Sequence, residues 1–329
     1  MFDVIIIGLG CAGYTAAIYT ARYKLTTLIV GAEDGGMGLT AAEVGNWPGI
    51  IDIKGPDLME NFKKHAMSFE EVTHKIAKVT EVEGNPSMSL RAGGKGKGFI
   101  ITFENGETAE GKTVILATGS SKRKLGVPGE KEFSGKGVTY CATCDAFFYK
   151  GKDVAVIGGG DSAVEGAAIA AQVAKKVYLV HRRKEFRAEP YWVDRVNARD
   201  NVVFVLERNL QEILGEGKVT GIKLDQPLDP TNPGSDMIKV DGVFIEIGSI
   251  PSVELAQQLG CELDSRGFLK VTPDQHTNIP GVFAAGDNTN ESNYFAQFTT
   301  AAGEGAVAAN GVFNYLSTVG AEGYMSAGS

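Results

Sequence analysis

Residues 2–30, FDVIIIGLGCAGYTAAIYTARYKLTTLIV, decide the fold. DVIII (3–7) is a short apolar run that ends at a glycine, which is typical of a buried parallel strand. The stretch that follows spaces alanine and isoleucine along one helix face, and TTLIV (26–30) predicts a second strand. The segment therefore predicts a strand, a glycine turn, a helix and another strand, which together begin a dinucleotide-binding unit.

The glycine turn has the pattern Gly8-x-Gly10-x-x-Gly13. Its glycines permit a tight turn, a close approach of backbone to a pyrophosphate, and tight packing of helix on strand. A GxGxxG pattern alone is weak evidence, but this one directly follows a strand and opens a helix. Glu33 follows the second strand, and a carboxylate there suits a ribose hydroxyl. We therefore expect this unit to take an unphosphorylated adenosine, as FAD has.

The pattern returns about 150 residues later, in KDVAVIGGGDSAVEGAAIAAQVAKKVYLV (152–180). Its glycine turn is Gly158-x-Gly160-x-x-Ala163, with alanine in the third position. Two such units in one chain predict two nucleotide-binding modules.

The two units differ after their second strands. Where the first has Glu33, the second has His181, Arg182 and Arg183, followed by Arg187. Arginines bind a 2′-phosphate through charge-assisted bidentate hydrogen bonds, whereas an acid would repel it. A solvated basic helix start is the alternative, but the position relative to the glycine turn favours NADPH.

Cys141 and Cys144 form a CxxC pair shortly before the second glycine turn. Such a pair is half of a zinc site, a redox centre or an accident. Zinc requires four ligands, but Cys11 and Cys261 are isolated, and no histidine forms a spaced pair with a cysteine. We therefore predict no metal, and we interpret the pair as a dithiol/disulfide centre.

Asp145 follows the pair directly and is a candidate proton donor to a departing thiolate. A plain acidic residue at a helix start is the alternative. Phe147 and Phe148 are either core residues or an apolar lip for a protein partner, and the sequence leaves both interpretations open.

Composition limits the remaining classes of protein. Of 329 residues, 43 are glycine and 43% are hydrophobic, so the chain is globular and glycine-rich without a collagen period. Net charge is −8 without a dense basic block, which gives no support for nucleic-acid binding. No apolar run reaches the ~18 residues that span a bilayer, and MFDVIIIG lacks a basic leader region. We therefore expect a cytoplasmic protein that binds no membrane.

With these residues identified, the chain resembles the low-molecular-weight thioredoxin reductases over nearly its whole length. CATCD between an FAD module and an inserted NADPH module is specific to that family and its close relatives. The resemblance depends on segments that occur in order: GLGCAGYTAA (8–17), the GG…EVGNWPG stretch (35–49), TVILATGS (113–120), CATCD (141–145), GGGDSA (158–163), HRRKEFRAE (181–189) and IPGVFAAGD (279–287).

The resemblance implies an α/β fold of two Rossmann-like, three-layer domains, the second inserted into the first. The FAD-binding domain would comprise residues 1–118 and 248–329, and the NADPH-binding domain, which carries the CxxC pair, residues 119–247. A homodimer is also implied.

The resemblance further implies which residues bind the cofactors. Asp287 would hold the flavin ribityl chain, Cys144 would lie nearest the flavin, and Cys141 would attack the partner's disulfide. The FAD-site residues implied are Gly8, Gly10, Ala12, Gly13, Glu33, Gly35, Gly36, Asn46, Ala117, Thr118, Gly119, Gly286, Asp287, Gln297 and Phe298. The NADPH-site residues implied are Gly158, Gly160, Asp161, Ser162, Ala163, His181, Arg182, Arg183 and Arg187.

The implied activity is electron transfer from NADPH through FAD and the Cys141–Cys144 disulfide to thioredoxin or a thioredoxin-like protein. Two alternatives remain: a related flavoenzyme that uses another donor or reduces a peroxiredoxin system, a small disulfide or oxygen, and a non-catalytic flavin-binding redox sensor. The chain departs from the family at Met37, where glutamine is common, and at Ala296-Gln297-Phe298, where Arg-Gln-Ala is common.

Three further segments carry structural expectations. Residues 84–98 contain five glycines and predict a hairpin end, and Asn105-Gly106 predicts a tight hairpin turn. The small and polar stretch after Leu316 predicts a loosely ordered tail.

Overall fold

The chain forms two compact units, Met1–Ser121 together with Pro251–Ser329, and Lys122–Ile250. The second unit is thus inserted into the first, and both of its boundaries fall three residues later than the expected 119–247. The computed structural model describes residues 1–41, 43–89 and 97–325.

The first unit is built on a seven-stranded sheet. Four parallel strands lie in the order β3-β2-β1-β6, and β17 pairs in parallel with the end of β6. An antiparallel pair, β5-β4, continues from the start of β6. The strands are β1 (Phe2–Ile7), β2 (Thr27–Gly31), β3 (Val72–Ile76), β4 (Val79–Ser89), β5 (Lys97–Phe103), β6 (Thr108–Leu116) and β17 (Val282–Ala284).

Strand β1 is buried on both faces, as a central parallel strand should be. Val4 and Ile6 join one core with helices of this unit, whereas Ile5 and Ile7 join a second core on the other face. The helices are α1 (Cys11–Arg22), α2 (Gly55–Ala66), α6 (Glu254–Gln258) and α7 (Phe298–Met325), with 3₁₀ turns at Gly36–Thr40 and Ser292–Tyr294.

The second unit repeats this plan with a five-stranded parallel sheet in the order β11-β10-β9-β15-β8. A three-stranded antiparallel sheet, β12-β13-β14, completes its strands. The strands are β8 (Val138–Thr139), β9 (Asp153–Ile157), β10 (Lys176–His181), β11 (Val202–Leu206), β12 (Leu210–Gly215), β13 (Val219–Leu224), β14 (Met237–Lys239) and β15 (Gly242–Ile245).

The central strand β9 also contributes to two cores. Val154 and Val156 pack with the helices, while Ala155 and Ile157 pack with residues of the three-stranded sheet. The helices are α3 (Ala142–Asp145), α4 (Asp161–Ala170) and α5 (Pro190–Asn197), with 3₁₀ turns at Ala146–Tyr149 and Pro233–Asp236. Two short strands, β7 (Ser120–Lys122) and β16 (Ser249–Pro251), fall where the chain passes between the units.

The predicted α/β class and both strand–turn–helix–strand segments are confirmed. The Asn105-Gly106 turn is confirmed between β5 and β6, where Gly106 has a φ of +83°. The expectation of a loose tail after Leu316 is wrong, because α7 continues to Met325. Residues 90–96 of the expected hairpin end, and 326–329, lie outside the described residues. No helix in the described ranges is both long and apolar enough to cross a membrane.

Candidate functional site

The first glycine turn packs as its spacing predicts. A Cβ atom on Gly8 would lie 1.9 Å from the carbonyl oxygen of Ala117, and one on Gly13 would lie 2.0 Å from the carbonyl oxygen of Gly8. Neither position admits a side chain. A Cβ on Gly10 would meet no atom within 4 Å, so the backbone at the start of α1 faces open space. Such a helix start offers N–H groups to a phosphate.

The segment after β2 closes against this turn. Gly35 donates its N–H to the carbonyl oxygen of Leu9 at 2.9 Å, and a Cβ on Gly36 would lie 3.7 Å from the Cα of Gly10. Glu33 lies in the same connection, and its side chain is exposed. The backbone of Gly35 and Gly36 is therefore part of the first site's surface.

Asp34, which the sequence reasoning did not select, is the best-connected acid of this segment. Its carboxylate accepts hydrogen bonds from Tyr14 Oη at 2.5 Å and Lys63 Nζ at 2.6 Å, and lies 2.8 Å from His74 Nε2. Burial alone would raise the pKa of Asp34, but these partners outweigh it and lower the pKa to about 2. Asp34 thus fixes the segment next to Glu33, and the adjacent acidic pair in GAEDGG was the available signal.

The turn after β17 supplies a second carboxyl group. Asp287 is partly buried, and its hydrogen bond from Ser120 Oγ is long, at 3.5 Å. Burial and the neighbouring Glu304 carboxylate raise the pKa of Asp287. Such a carboxyl retains acceptor capacity for the hydroxyl groups of a ligand.

Glu304 holds this turn from helix α7. It is buried, and its carboxylate accepts the Gly286 N–H at 2.7 Å, the Thr289 hydroxyl at 3.0 Å and the Ser292 hydroxyl at 2.6 Å. The sequence reasoning missed it. A lone charge within the small residues TTAAGEGAVAA (299–309) was the signal that could have revealed it.

Thr118 and Asn288 link the ends of β6 and β17. The Asn288 amide donates to the carbonyl oxygen of Leu116 at 3.0 Å and to Thr118 Oγ1 at 2.9 Å. Thr118 Oγ1 in turn donates to the carbonyl oxygen of Ser252 at 2.6 Å. Thr118 therefore stabilises the strand ends through its side chain, and Gly119 continues the chain with a φ of +61°.

Two residues implied at the flavin site meet although they are distant in sequence. Asn46 Nδ2 donates to Gln297 Oε1 at 2.9 Å. Next to Gln297, the Phe298 carbonyl oxygen accepts a hydrogen bond of 3.3 Å from Cys11 Sγ, and a Cβ on Gly286 would lie 3.1 Å from that of Ala12. The N-terminal end of α1 is thus surrounded by several of the implied residues: Gly36, Ala117, Gly286 and Phe298.

This surface fits FAD. Gly10 leaves space at a helix N-terminus for a pyrophosphate, and Asp287 retains acceptor capacity for ribityl hydroxyls. Gln297, held by Asn46, presents an amide of the kind that hydrogen-bonds a flavin ring.

The second glycine turn repeats the packing of the first. A Cβ on Gly158 would lie 2.2 Å from the carbonyl oxygen of Glu246 and 2.6 Å from the Cβ of Ala163, so glycine at 158 makes room for alanine at 163. A Cβ on Gly160 would meet nothing within 4 Å. The start of α4, with Asp161 and Ser162, is therefore open in the same way as the start of α1 and has room for a phosphate group.

The segment after β10 folds onto this turn. His181 is buried, and a Cβ on Gly159 would lie 2.2 Å from its ring. Arg187 donates its backbone N–H to the Gly159 carbonyl oxygen at 2.8 Å, and Glu189 donates its own to Asp161 Oδ1 at 2.7 Å. The implied nucleotide residues are thus brought together.

The charges of this segment face solvent. Arg182, Arg183 and Arg187 are exposed. Burial, together with these three cations, lowers the pKa of His181 and favours a neutral ring. His181 therefore supports the segment by packing, while the side chains of the three arginines lie in solvent.

Cys141 and Cys144 form a disulfide with a Cα–Cα distance of 5.3 Å. Cys141 is partly buried and caps helix α3, where its sulfur accepts the Cys144 N–H at 3.1 Å, whereas Cys144 is exposed. The carboxylate of Asp145 accepts a hydrogen bond from Thr139 Oγ1. This bond holds the candidate proton donor next to the disulfide.

The surroundings of the disulfide distinguish it from the other cysteines. Phe147 and Phe148 follow it with 71% and 73% of their surfaces exposed, so neither is a core residue. Cys11 and Cys261 are buried free thiols. Within the described part of the chain, no group of three or more histidine, cysteine or acidic residues could hold a metal ion.

Two glycine turns of dinucleotide-binding type and a CxxC disulfide, in two α/β units, define a nucleotide-dependent disulfide oxidoreductase. The chain belongs to the pyridine nucleotide-disulphide oxidoreductase family, whose model matches residues 2–305.

Similar proteins narrow this assignment. A thioredoxin reductase of Listeria monocytogenes is 40% identical over 96% of this chain and 94% of its own length. A Pseudomonas fluorescens protein named glucosaminate ammonia-lyase is also 40% identical, over 95% of both chains. The structure of Lactococcus lactis thioredoxin reductase matches with a TM-score of 0.87 and 33% identity over 97% of this chain and 100% of that one.

The resemblance found in the sequence is thereby confirmed. The protein is a flavoprotein disulfide reductase with a redox-active Cys141–Cys144 disulfide, and its cofactors are FAD and NADPH.

Proposed function

We propose that the protein reduces the disulfide of thioredoxin or a thioredoxin-like protein. The observation that carries this proposal is the Cys141–Cys144 disulfide, which is followed on the same surface by two exposed phenylalanines. An apolar lip of this kind suits a protein acceptor, because burying aromatic surface is a main source of affinity at protein interfaces. A small disulfide or oxygen would need no such lip.

The two units take different nucleotides in this proposal. The unit formed by Met1–Ser121 and Pro251–Ser329 binds FAD, with Gly10 at the pyrophosphate, Asp287 at the ribityl chain and Gln297 at the flavin ring. The unit Lys122–Ile250 binds NADPH at its own glycine turn, and its three exposed arginines bind the 2′-phosphate.

FAD, when bound, accepts a hydride from NADPH and can pass two electrons to a disulfide. The chain contributes the remaining chemistry. Cys144 would lie nearest the bound flavin, and Cys141, once its bond to Cys144 is reduced, would attack the disulfide of the partner as a thiolate. Asp145, held by Thr139, donates and recovers the proton that the departing thiolate requires.

The serine variants Cys141→Ser and Cys144→Ser test this assignment. Each should retain FAD and lose NADPH-dependent reduction of thioredoxin. Cys261→Ser is the matched control, because it removes a buried free thiol and should leave turnover intact. Turnover retained in either variant of the pair would refute the proposal.

The acceptor itself needs a separate assay. The wild-type protein should reduce thioredoxins of its own organism faster than its peroxiredoxins, small disulfides or oxygen. Faster turnover with one of these other acceptors would move the assignment to a related flavoenzyme, and absent bleaching of the flavin by NADPH would favour a non-catalytic sensor.

The assembly and location also belong to this proposal. Three large apolar side chains are exposed on helices α1 and α7: Tyr19 (40%), Val307 (38%) and Phe313 (36%). A second copy that covered them would remove this apolar surface from water, and their exposure therefore supports a homodimer. Two unpaired thiols, Cys11 and Cys261, suit the reducing cytoplasm. Light scattering of the purified protein tests the dimer.

A further inference from the structure

Glu246 is a buried carboxyl group to which the proposed mechanism gives no task. It directly follows strand β15, and its side chain is only 5% exposed. Burial of a charged group is costly unless it is paired and hydrogen-bonded. The partners of Glu246 therefore indicate what it does.

The two carboxylate oxygens of Glu246 have different partners. Oε1 accepts the backbone N–H of Ala142 at 3.0 Å, and Oε2 accepts a hydrogen bond of 2.8 Å from Lys122 Nζ. Ala142 opens helix α3 and is joined to Cys141 by a peptide bond. The Glu246 end of the ion pair is therefore hydrogen-bonded to the residue that follows Cys141 of the disulfide.

The backbone of Glu246 contacts the second glycine turn. Its N–H donates to the carbonyl oxygen of Ile157 at 2.9 Å, and its carbonyl oxygen occupies the space next to Gly158. One residue thus supports the nucleotide-binding turn with its main chain and the CxxC helix with its side chain. The negative charge of Glu246 is therefore the property that an apolar residue at this position would not supply.

We propose that the Lys122–Glu246 pair sets the reduction potential of the Cys141–Cys144 disulfide, with Glu246 acting as a positioning residue. This inference rests on the proposed function, in which that disulfide carries the electrons. Reduction breaks the S–S bond with two electrons, and the sulfurs take up two protons or remain in part as thiolate. A nearby cation favours the thiolate and a nearby anion disfavours it. In the parent protein the opposite charges of Lys122 and Glu246 offset each other, so that together they favour neither the dithiol nor the disulfide.

Two single variants remove the charges of Glu246 and Lys122 one at a time. Glu246→Gln keeps an oxygen acceptor for Ala142 and leaves Lys122 uncompensated, so the reduced dithiol should gain stability. Lys122→Met removes the partner of the buried Glu246 carboxyl, whose pKa burial already raises. Glu246 then takes up a proton or stays an uncompensated anion, and in both cases the reduced dithiol should gain no stability. The double variant removes both charges and should return to the parent value.

The test is an anaerobic equilibration of the FAD-loaded protein with glutathione redox buffers, followed by thiol labelling. We expect the equilibrium constant of Glu246→Gln to shift about tenfold toward the dithiol, which equals about 30 mV for this two-electron couple, and that of Lys122→Met not to shift toward the dithiol. A shift toward the dithiol in Lys122→Met, or no shift in Glu246→Gln, would overturn the proposal, because a purely structural role predicts the same effect from the loss of either partner.

The Lys122→Met result remains informative if Glu246→Gln fails to fold, because a shift toward the dithiol in that variant alone would overturn the proposal. The assay needs neither NADPH nor thioredoxin. Its failure is therefore distinguishable from failure of the proposed function, which the serine variants report.

Discussion

Asn46 and Gln297 are joined by a hydrogen bond of 2.9 Å between Nδ2 and Oε1 across 251 positions of sequence. The bond connects the segment before α2 with the approach to α7. It holds the amide of Gln297 in one orientation, in a chain that has Ala296 and Phe298 on either side of it.

Removing this amide should weaken flavin binding without destabilising the protein. We expect Gln297→Ala to raise the dissociation constant of FAD about fivefold, since one net hydrogen bond is worth ~1 kcal/mol. Because the bond is exposed, the free energy of unfolding of the apoprotein should change by less than about 0.5 kcal/mol. Asn310→Ala is the control: it removes an exposed hydrogen bond to Tyr23 and should leave FAD affinity unchanged.

Two alanine variants in the first glycine turn should distinguish an effect on folding from an effect on FAD binding. Gly13→Ala places a Cβ against the Gly8 carbonyl oxygen and should lower the free energy of unfolding by about 1–3 kcal/mol. Gly10 has extended backbone angles and an open Cβ direction, so Gly10→Ala should fold normally. The methyl group would then obstruct the pyrophosphate, and FAD should bind about tenfold more weakly, a loss of ~1.4 kcal/mol. Equal stability losses in the two apoproteins, by denaturant titration, would contradict this assignment.

The arginines after β10 should decide between NADPH and NADH. We expect Arg182→Ala or Arg183→Ala to raise KM for NADPH about 10–100-fold, because a hydrogen bond to a charged group contributes about 1.5–3 kcal/mol. KM for NADH should not change, and Arg199→Ala, at another exposed arginine, should affect neither nucleotide. If anaerobic titration shows that NADH bleaches the wild-type flavin as well as NADPH does, the arginines do not select the nucleotide.

Asp34 should contribute a pH-dependent stability. Its folded pKa of about 2 lies below the ordinary value of 3.8 for an aspartate, so its contribution is fully present above pH about 4 and is lost as pH falls toward 2. Asp34→Asn should therefore be less stable than wild type at pH 7, and the difference should shrink below pH about 4. Urea unfolding of both proteins between pH 7 and pH 2.5 measures it, and a constant difference over that range would be inconsistent with the prediction.

Alkylation should distinguish the four cysteines. Burial raises the pKa of the Cys11 thiol to about 12 and also raises that of Cys261, so both should resist iodoacetamide in the native protein. Cys141 and Cys144 should react only after NADPH has reduced their disulfide. Peptide mass spectrometry before and after reduction tests this, and fast labelling of Cys11 in the folded protein would show that its thiol is accessible.

The sequence was sufficient for features that depend on short spacings. Both glycine turns, their strands and the CxxC pair follow local rules, and the structure has them as predicted. Contacts that depend on tertiary packing could not be predicted from the sequence. Glu304, Asp34 and Glu246 each gain their roles from partners on distant elements, and no spacing reveals such pairings.

One expectation shows where local rules mislead. The stretch after Leu316 is small and polar, yet it continues a helix that begins at Phe298, because a formed helix extends at little cost. Here the preceding turns of the helix override composition. The packing of His181 was also beyond local rules, because its ring fills the space that Gly159 leaves.

The space that Gly159 leaves for His181 has a consequence for engineering coenzyme preference. The exposed arginines can be exchanged singly without disturbing any core, whereas a methyl group at 159 would expel the imidazole and collapse the loop that presents them. A library that varies the loop while leaving these two positions fixed should therefore yield mostly folded clones.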